Sequence, residues 1–240
     1  MTPRLVFAHG WGLDRSLWDA VLGELGDLAN GAIVLDAGYY GAPVAAGPLG
    51  GEKVLGIGQS LGALELMTKP PAPLSGLVAI DAFARFAAGP DFPAGRDVRT
   101  LRALIQRLGR ASPRQIDEII ERTFRAVAPA HGAPDQDALA RGLERLVSLD
   151  GRRSFTGAPI WRLHADNDPT APLALSDASF AACQVRERRI RGGDDHLSPV
   201  SAPRLCADLI RSALEALEQE RGQDLQPQAL AAGRTGEIDR

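Results

Sequence analysis

A chain of 240 residues, 45% of them hydrophobic, is long enough for one domain with a sizeable core. Its formal charge of −3 is not the basic balance of a nucleic-acid binder, and no apolar run approaches the roughly 20 residues a membrane-spanning helix needs. The two cysteines, Cys183 and Cys206, have no redox or metal spacing and the N-terminus turns polar too soon for a signal peptide, so a cytoplasmic protein with reduced thiols is expected.

Leu5-Val6-Phe7-Ala8 is a short apolar run that ends in His9-Gly10-Trp11-Gly12, a buried strand entering a glycine-rich loop. Asp14 caps the next helix, where Leu17, Trp18, Val21, Leu22 and Leu25 recur at helical spacing. Ala32 to Asp36 is a second strand. Ala37 to Gly51 is rich in Gly, Ala and Pro, has no helical stripe and reads as loop. Val54 to Gly58 is a strand, with a helix starting at Ser60, and Gly76 to Asp81 is a fourth strand.

The texture then changes. Ala82 to about Phe155 shows helical stripes only. The first is Val98, Leu101, Ile105 and Leu108. The second follows Ser112-Pro113, with Pro at the first helical position, and carries Ile116, Ile119, Ile120, Phe124 and Val127. The third is Leu139, Leu143, Leu146 and Val147. Strands resume with Pro159 to His164, and a helix around Leu173 to Ala181 follows. Gln184 to Ile190 is charged for a strand and reads as an exposed one near the sheet edge. The last helix runs from Ala202 to about Leu217, with Leu205, Leu209, Ile210, Leu214 and Leu217 on one face. Residues 218–240 are polar and expected to be mobile. Alternating strands and helices imply an α/β fold: a mostly parallel sheet of about six strands, helices on both faces. The expected layout is a core of 1–81 and 156–217 with an inserted helical lid, 82–155.

Gly58-Gln59-Ser60-Leu61-Gly62 sits between a strand and a helix, the context a nucleophile elbow requires. The serine must stand in a tight turn, and glycines on either side let strand and helix approach closely. Serine is a weak nucleophile unless a base takes its proton and a third group orients that base. On this architecture the chain order is Ser, then Asp or Glu, then His. Asp168, in His164-Ala165-Asp166-Asn167-Asp168-Pro169, and His196, in Gly193-Asp194-Asp195-His196, supply that order. Both lie in loops after strands, as Ser60 does, and such loops share the carboxyl edge of a parallel sheet. Asp166 is a rival for the acid. Asp194 and Asp195 read as a solvated turn. His164, Asp166, Asp168, Asp194, Asp195 and His196 also contain metal-ligand types, but no His-x-x-x-His pair exists and His164 falls at a strand end, so no metal is expected.

The loop His9 to Gly12, the elbow Gly58 to Gly62, Asp168 and Gly193 to His196 resemble the α/β-hydrolase superfamily over most of Leu5 to about Leu217. More narrowly, the Gly-Trp-Gly loop, Ser-Leu-Gly at the elbow and the all-helical insertion look like the pimeloyl-acyl-carrier-protein methyl ester esterases of biotin synthesis. Gln59 departs from the pattern, which often has an aromatic or histidine residue before the nucleophile. The resemblance implies a catalytic triad of Ser60, His196 and Asp168, with Asp168 preferred to Asp166 by its distance from the strand end. It implies an oxyanion hole from the backbone N–H groups of Leu61 and Trp11. His9 is expected to brace its loop. The Trp11 side chain either walls an acyl pocket or packs in the core. Tyr39 and Tyr40 either line the entrance or pack in a turn, and Phe83 and Phe86 are further pocket residues.

The expected activity is hydrolysis of a carboxylic ester through an acyl-enzyme, without a cofactor, by a monomer. A thioesterase, an acyltransferase and a catalytically silent binding protein remain open on the same residues. The first helix of the insertion is read as carrying Arg96, Arg99, Arg102, Arg107 and Arg110, and Arg114, Arg122 and Arg125 follow. These arginines form either an ordinary solvated face or, centred on Arg99, Arg102 and Arg107, a docking surface for an acidic acyl-carrier protein. The resembled esterases receive such a carrier on a lid of this kind.

Overall fold

The computed structural model describes residues 2–124, 131–153, 155 and 157–232, with 224–232 as helix backbone. The strands are β1 (Arg4–Ala8), β2 (Ile33–Val34), β3 (Val54–Gln59), β4 (Leu74–Ile80), β5 (Ile160–Ala165) and β6 (Val185–Arg191). They form one sheet in the order β2-β1-β3-β4-β5-β6, and every pairing is parallel. The chain starts at β1, steps outward to β2, then returns to β3 and proceeds the other way. The order therefore reverses between β1 and β3, and a crevice opens at their carboxyl ends.

Strands covered on both faces must be apolar on both. Leu5 and Phe7 of β1 join one core with Leu55, Ile57, Val78 and Ile80, while Val6 and Ala8 join the other with Val54, Leu77 and Ala79. The first core is closed by Trp18, by α1 (Asp19–Leu25) through Val21 and Leu25, and by α8 (Pro203–Ala232) through Leu209 and Ile210. The second is closed by α2 (Leu61–Thr68), through Ala63, Leu66 and Met67, and by Phe180 of α6 (Leu173–Phe180). β6 is the edge, and its charged residues are held there by local pairs: Arg189 Nε donates to Glu187 at 2.6 Å and Arg188 Nη2 to Asp177 at 2.7 Å.

Between β4 and β5 lie α3 (Val98–Leu108), α4 (Pro113–Phe124) and α5 (Gln136–Ser148). Asp97 and Asp135 cap α3 and α5, each accepting a backbone N–H at 2.8 Å, from Thr100 and Ala138. The stripes face inward: Leu101 and Leu108, then Ile116, Ile119, Ile120 and Phe124, then Leu139, Leu143 and Leu146 are buried. The two ends of the insertion are tied together by Arg85 and Arg152, which share Asp91 and Asp150 and both lie over the Phe92 ring. Val127 and Arg125 fall outside the described residues.

Four details differ from the sequence reading. β2 is only two residues long, because Asp36 leaves the sheet to pair with Val44 in an antiparallel bridge. A short helix, α7 (Ser198–Ser201), precedes α8. α8 continues past Leu217 to Ala232, and the tail expectation for 218–240 falls partly on 233–240, outside the described residues. Leu205 is exposed, because the buried stripe centres on Cys206, Ile210, Ala213 and Leu217 and leaves Leu205 beyond its margin. Among the described residues no helix is long and apolar enough to cross a membrane.

Candidate active site

Ser60 is the one residue between β3 and α2, and its backbone lies at φ 53°, ψ −122°. A side chain there costs about 1–3 kcal/mol and persists only where its surroundings over-determine it. They do. Ser60 N–H donates to Ile80 O at 3.1 Å, and Ser60 O accepts from Ala63 N–H at 3.2 Å. The flanking glycines serve close approach. A Cβ on Gly58 would fall on the Ala63 backbone, and one on Gly62 would fall on the carbonyls of Ala8 and His9. Gly10 is pressed equally close, since a Cβ there would meet Gln59 Oε1 and lie 2.9 Å from Ser60 Cβ. The β1 loop is thereby seated directly beside the Ser60 side chain.

His196 joins Ser60 to Asp168. Its Nε2 is 2.8 Å from Ser60 Oγ and its Nδ1 is 2.5 Å from Asp168 Oδ2. All three side chains are buried. The other Asp168 oxygen accepts the N–H groups of Thr170 at 2.8 Å and Ala171 at 2.9 Å. An ionised Asp168 can only accept, so Nδ1 carries the proton and Nε2 is left to receive the one on Ser60. Burial alone would lower the His196 pKa, but the charge and hydrogen bond of Asp168 reverse this and the net shift is upward. Asp166 is exposed, and its carboxylate takes the Gly193 N–H and the Asn167 side chain instead.

The amides expected to receive an oxyanion flank Ser60. Leu61 opens α2, where N–H groups have no intrahelical acceptor. Trp11 follows Gly10 in the loop against Ser60. Neither N–H has an acceptor among the described residues. His9 braces that loop: Nε2 accepts the Ala37 N–H at 3.0 Å, which leaves Nδ1 to donate to Gly10 O at 2.8 Å.

Ser60 and His196 open onto an apolar cavity of about 80 Å³. Trp11, Phe83, Phe86 and Phe124 line it, with Leu143 and Leu146 of α5. Trp11 both lines this cavity and packs, its Nε1 donating to Leu139 O at 2.7 Å. A larger cavity, about 740 Å³, opens over Asp14, Asp36, Tyr40 and His131 and touches none of the three residues. Tyr39 corrects the sequence reading. It does not line the cavity at Ser60 but is 2% exposed, edge-on to the His9 ring at 5.7 Å, with its carbonyl accepting the Asp135 N–H. The turn at Gly38, with φ 78°, takes the chain inward there.

Several residues of the site are not evident from motifs. Phe124, which in sequence is only one member of an apolar stripe, stacks on the His196 ring at 5.9 Å with an interplanar angle of 11°. Gln59 ties β3 to the His196 loop. Asp81, fully buried at φ 45°, accepts Ser198 N–H at 2.7 Å, Ser198 Oγ–H at 2.8 Å and Ala165 N–H at 3.2 Å, and burial raises its pKa. Asp195 is no idle turn residue, for it pairs with nearly buried Arg191 at 2.6 Å and accepts the Leu197 N–H at 2.8 Å. The only sequence sign of that pair is the spacing of four between the two residues.

Asp81, His164 and Asp168 place possible ligand atoms within 4.8 Å of one another. Both carboxylates accept hydrogen bonds there, His164 Nε2 donates to Ala171 O at 2.7 Å, and burial lowers the His164 pKa. Arg99, Arg102, Arg107 and Arg110 are exposed and make no ion pair among the described residues. Arg96 stands apart from them. It precedes α3 and directs its guanidinium into the Asp168 loop.

No protein-family model matches the chain. The chain is 27% identical over 244 aligned positions to a pimeloyl-[acyl-carrier protein] methyl ester esterase of Yersinia pseudotuberculosis serotype IB, a match covering 88% of this chain and 93% of that one. An esterase from Thermogutta terrifontis has the same fold, with a TM-score of 0.67 at 19% identity over 90% of both chains. A bromoperoxidase from Bacillus anthracis matches with a TM-score of 0.68 at 18% identity, over 91% of this chain and 92% of that one. The fold is the α/β-hydrolase fold that the motifs resemble.

Proposed function

We propose that this chain is a serine hydrolase of carboxylic esters, and that its substrate is the methyl ester of an acyl chain held on a carrier protein. The observation that carries the reading is the unbroken line from Ser60 Oγ through His196 to Asp168. The similarity to the Yersinia esterase supports the choice of ester and carrier.

Ser60 Oγ attacks the ester carbonyl while His196 Nε2 takes its proton. Asp168 stabilises the imidazolium and holds its orientation. The N–H groups of Leu61 and Trp11 receive the oxyanion, a contribution of about 3 kcal/mol for each such donor. The carbon–alkoxy bond then breaks, and His196 returns the proton to the leaving alcohol. Water, deprotonated by His196, attacks the acyl-enzyme. Ser60 leaves with its proton restored and the free acid departs. The apolar cavity suits an uncharged ester, and α3, α4 and α5 form the lid over it. Arg99, Arg102 and Arg107 on that lid are the proposed docking residues for an acidic carrier.

A fluorophosphonate probe tests the chemistry. It should label the wild-type chain and not Ser60→Ala, and the variant should lose ester hydrolysis by several orders of magnitude while keeping its fold. Near-wild-type turnover by Ser60→Ala would remove the reading. A series of methyl esters, free and carrier-bound, then tests the substrate.

A further inference from the structure

We propose that Arg96 is a positioning residue for the triad acid, fixing the Asp168 turn from the base of the inserted helices. The proposal rests on the serine-hydrolase reading and concerns a residue that touches neither Ser60 nor His196.

The backbone of Arg96 is pinned on both sides. Its N–H donates to Phe86 O at 2.7 Å and its carbonyl accepts the Ala88 N–H at 2.8 Å. The side chain thus leaves from a fixed point. Its Nε donates to Thr170 O at 2.9 Å and its Nη2 to Pro169 O. These are the two carbonyls that follow Asp168. The N–H groups of Thr170 and Ala171 point the other way, into Asp168 Oδ1, while Oδ2 meets His196. The turn is gripped from two sides, its amides by the carboxylate and its carbonyls by the guanidinium. A second tie comes from the same insertion, where Thr170 Oγ1 donates to Thr123 O near the end of α4.

An arginine fork suits two carbonyls at once, as a lysine ammonium does not. Burial lowers the Arg96 pKa, and the Asp168 charge opposes that shift. The geometry also couples the lid to the triad. A shift of the segment before α3 carries the turn with it, and displacing a catalytic group by about 1 Å costs on the order of 100-fold.

The test uses Arg96→Gln and Arg96→Lys in the full chain. Two quantities are read: kcat and KM for a short p-nitrophenyl ester, and the far-downfield proton resonance of His196 Nδ1–H in its hydrogen bond to Asp168. Arg96→Gln should lower kcat about 10- to 100-fold, change KM by less than about twofold, and shift or broaden the resonance. Arg96→Lys keeps the charge and part of the donor set and should fall between. If Arg96→Gln does not fold, the lysine variant supplies the same two readouts. A resonance unchanged in the folded variants overturns the proposal, whatever happens to kcat, and leaves Arg96 as a brace of the lid alone. Failure of the wild-type chain to react with a fluorophosphonate is a different result, and it removes the serine-hydrolase reading itself.

Discussion

The side-chain amide of Gln59 donates to the backbone carbonyl of His196 at 2.8 Å, joining the strand that leads into Ser60 to the loop that carries His196. Gln59 is fully buried, and its Oε1 has no hydrogen-bond partner among the described residues. One half of the amide is therefore used and the other is held at a cost. The departure from an aromatic residue before the nucleophile thus has a structural purpose.

Gln59→Met keeps the length of the side chain and removes the donor. It leaves the His196 carbonyl buried and unpaired, which costs about 1–3 kcal/mol, and it relieves the unpartnered Oε1. A melting temperature lowered by about 2–12 °C, less what the loss of Oε1 returns, is expected for a chain of this size. Steady-state kinetics should show the loss in kcat more than in KM. An unchanged melting temperature together with unchanged kcat would mean that the loop is held by other contacts.

Asp168→Asn should cost far more activity than Asp166→Asn. Asp168 meets His196 at 2.5 Å, whereas Asp166 faces solvent beside Gly193. An asparagine at 168 neither fixes the proton on Nδ1 nor stabilises the imidazolium, and such a change costs on the order of 10⁴-fold in kcat. Assays of both variants on one ester decide the assignment, and greater damage from Asp166→Asn would reverse it.

The pH profile follows from His196. On the proposed mechanism His196 must be neutral to accept the Ser60 proton, and its pKa is raised above the ordinary 6.5 by Asp168 against the effect of burial. kcat/KM for an uncharged ester should therefore rise with pH through a midpoint above 6.5. The same shift makes a stability contribution that is full below 6.5 and lost as pH rises through the folded pKa. Asp168→Asn removes the main opposing charge, with Asp81 and Asp195 remaining, so the residual activity should show its acid limb at lower pH. A midpoint below 6.5 in the wild-type chain would contradict this account.

Reversing Arg99, Arg102 and Arg107 to Glu should raise KM for a carrier-bound methyl ester and flatten its dependence on salt. Hydrolysis of a short p-nitrophenyl ester should barely change. The three arginines are exposed on α3 and lie outside the residues lining the cavity at Ser60. Charges so placed act on association, which salt screens over about 10 Å. Equal loss on both esters would indicate a misfolded lid, and no loss on either would leave the arginines as ordinary surface.

The sequence by itself determined the parts that depend on near neighbours. Apolar runs, helical stripes and turn residues sufficed for the strands, for the three inserted helices and for the elbow at Ser60, because each is specified by side chains a few positions apart. The order Ser60, Asp168, His196 was legible for the same reason, each residue following its own strand. What the tertiary structure decided lies between those loops. The order of strands sets which loops meet, and a distance such as Ser60 to His196 spans 136 positions of chain. Asp166 and Asp168 are two residues apart; distance from the strand end favoured the second, and the turn through Thr170 and Ala171 aims it at His196 while the first faces water. Arg96 looked like one more surface arginine and Tyr39 like either an entrance or a turn residue, because the pattern of a stretch carries its own period and not the identity of what packs against it. The Asp168 turn claimed the first, and the His9 loop with α5 enclosed the second.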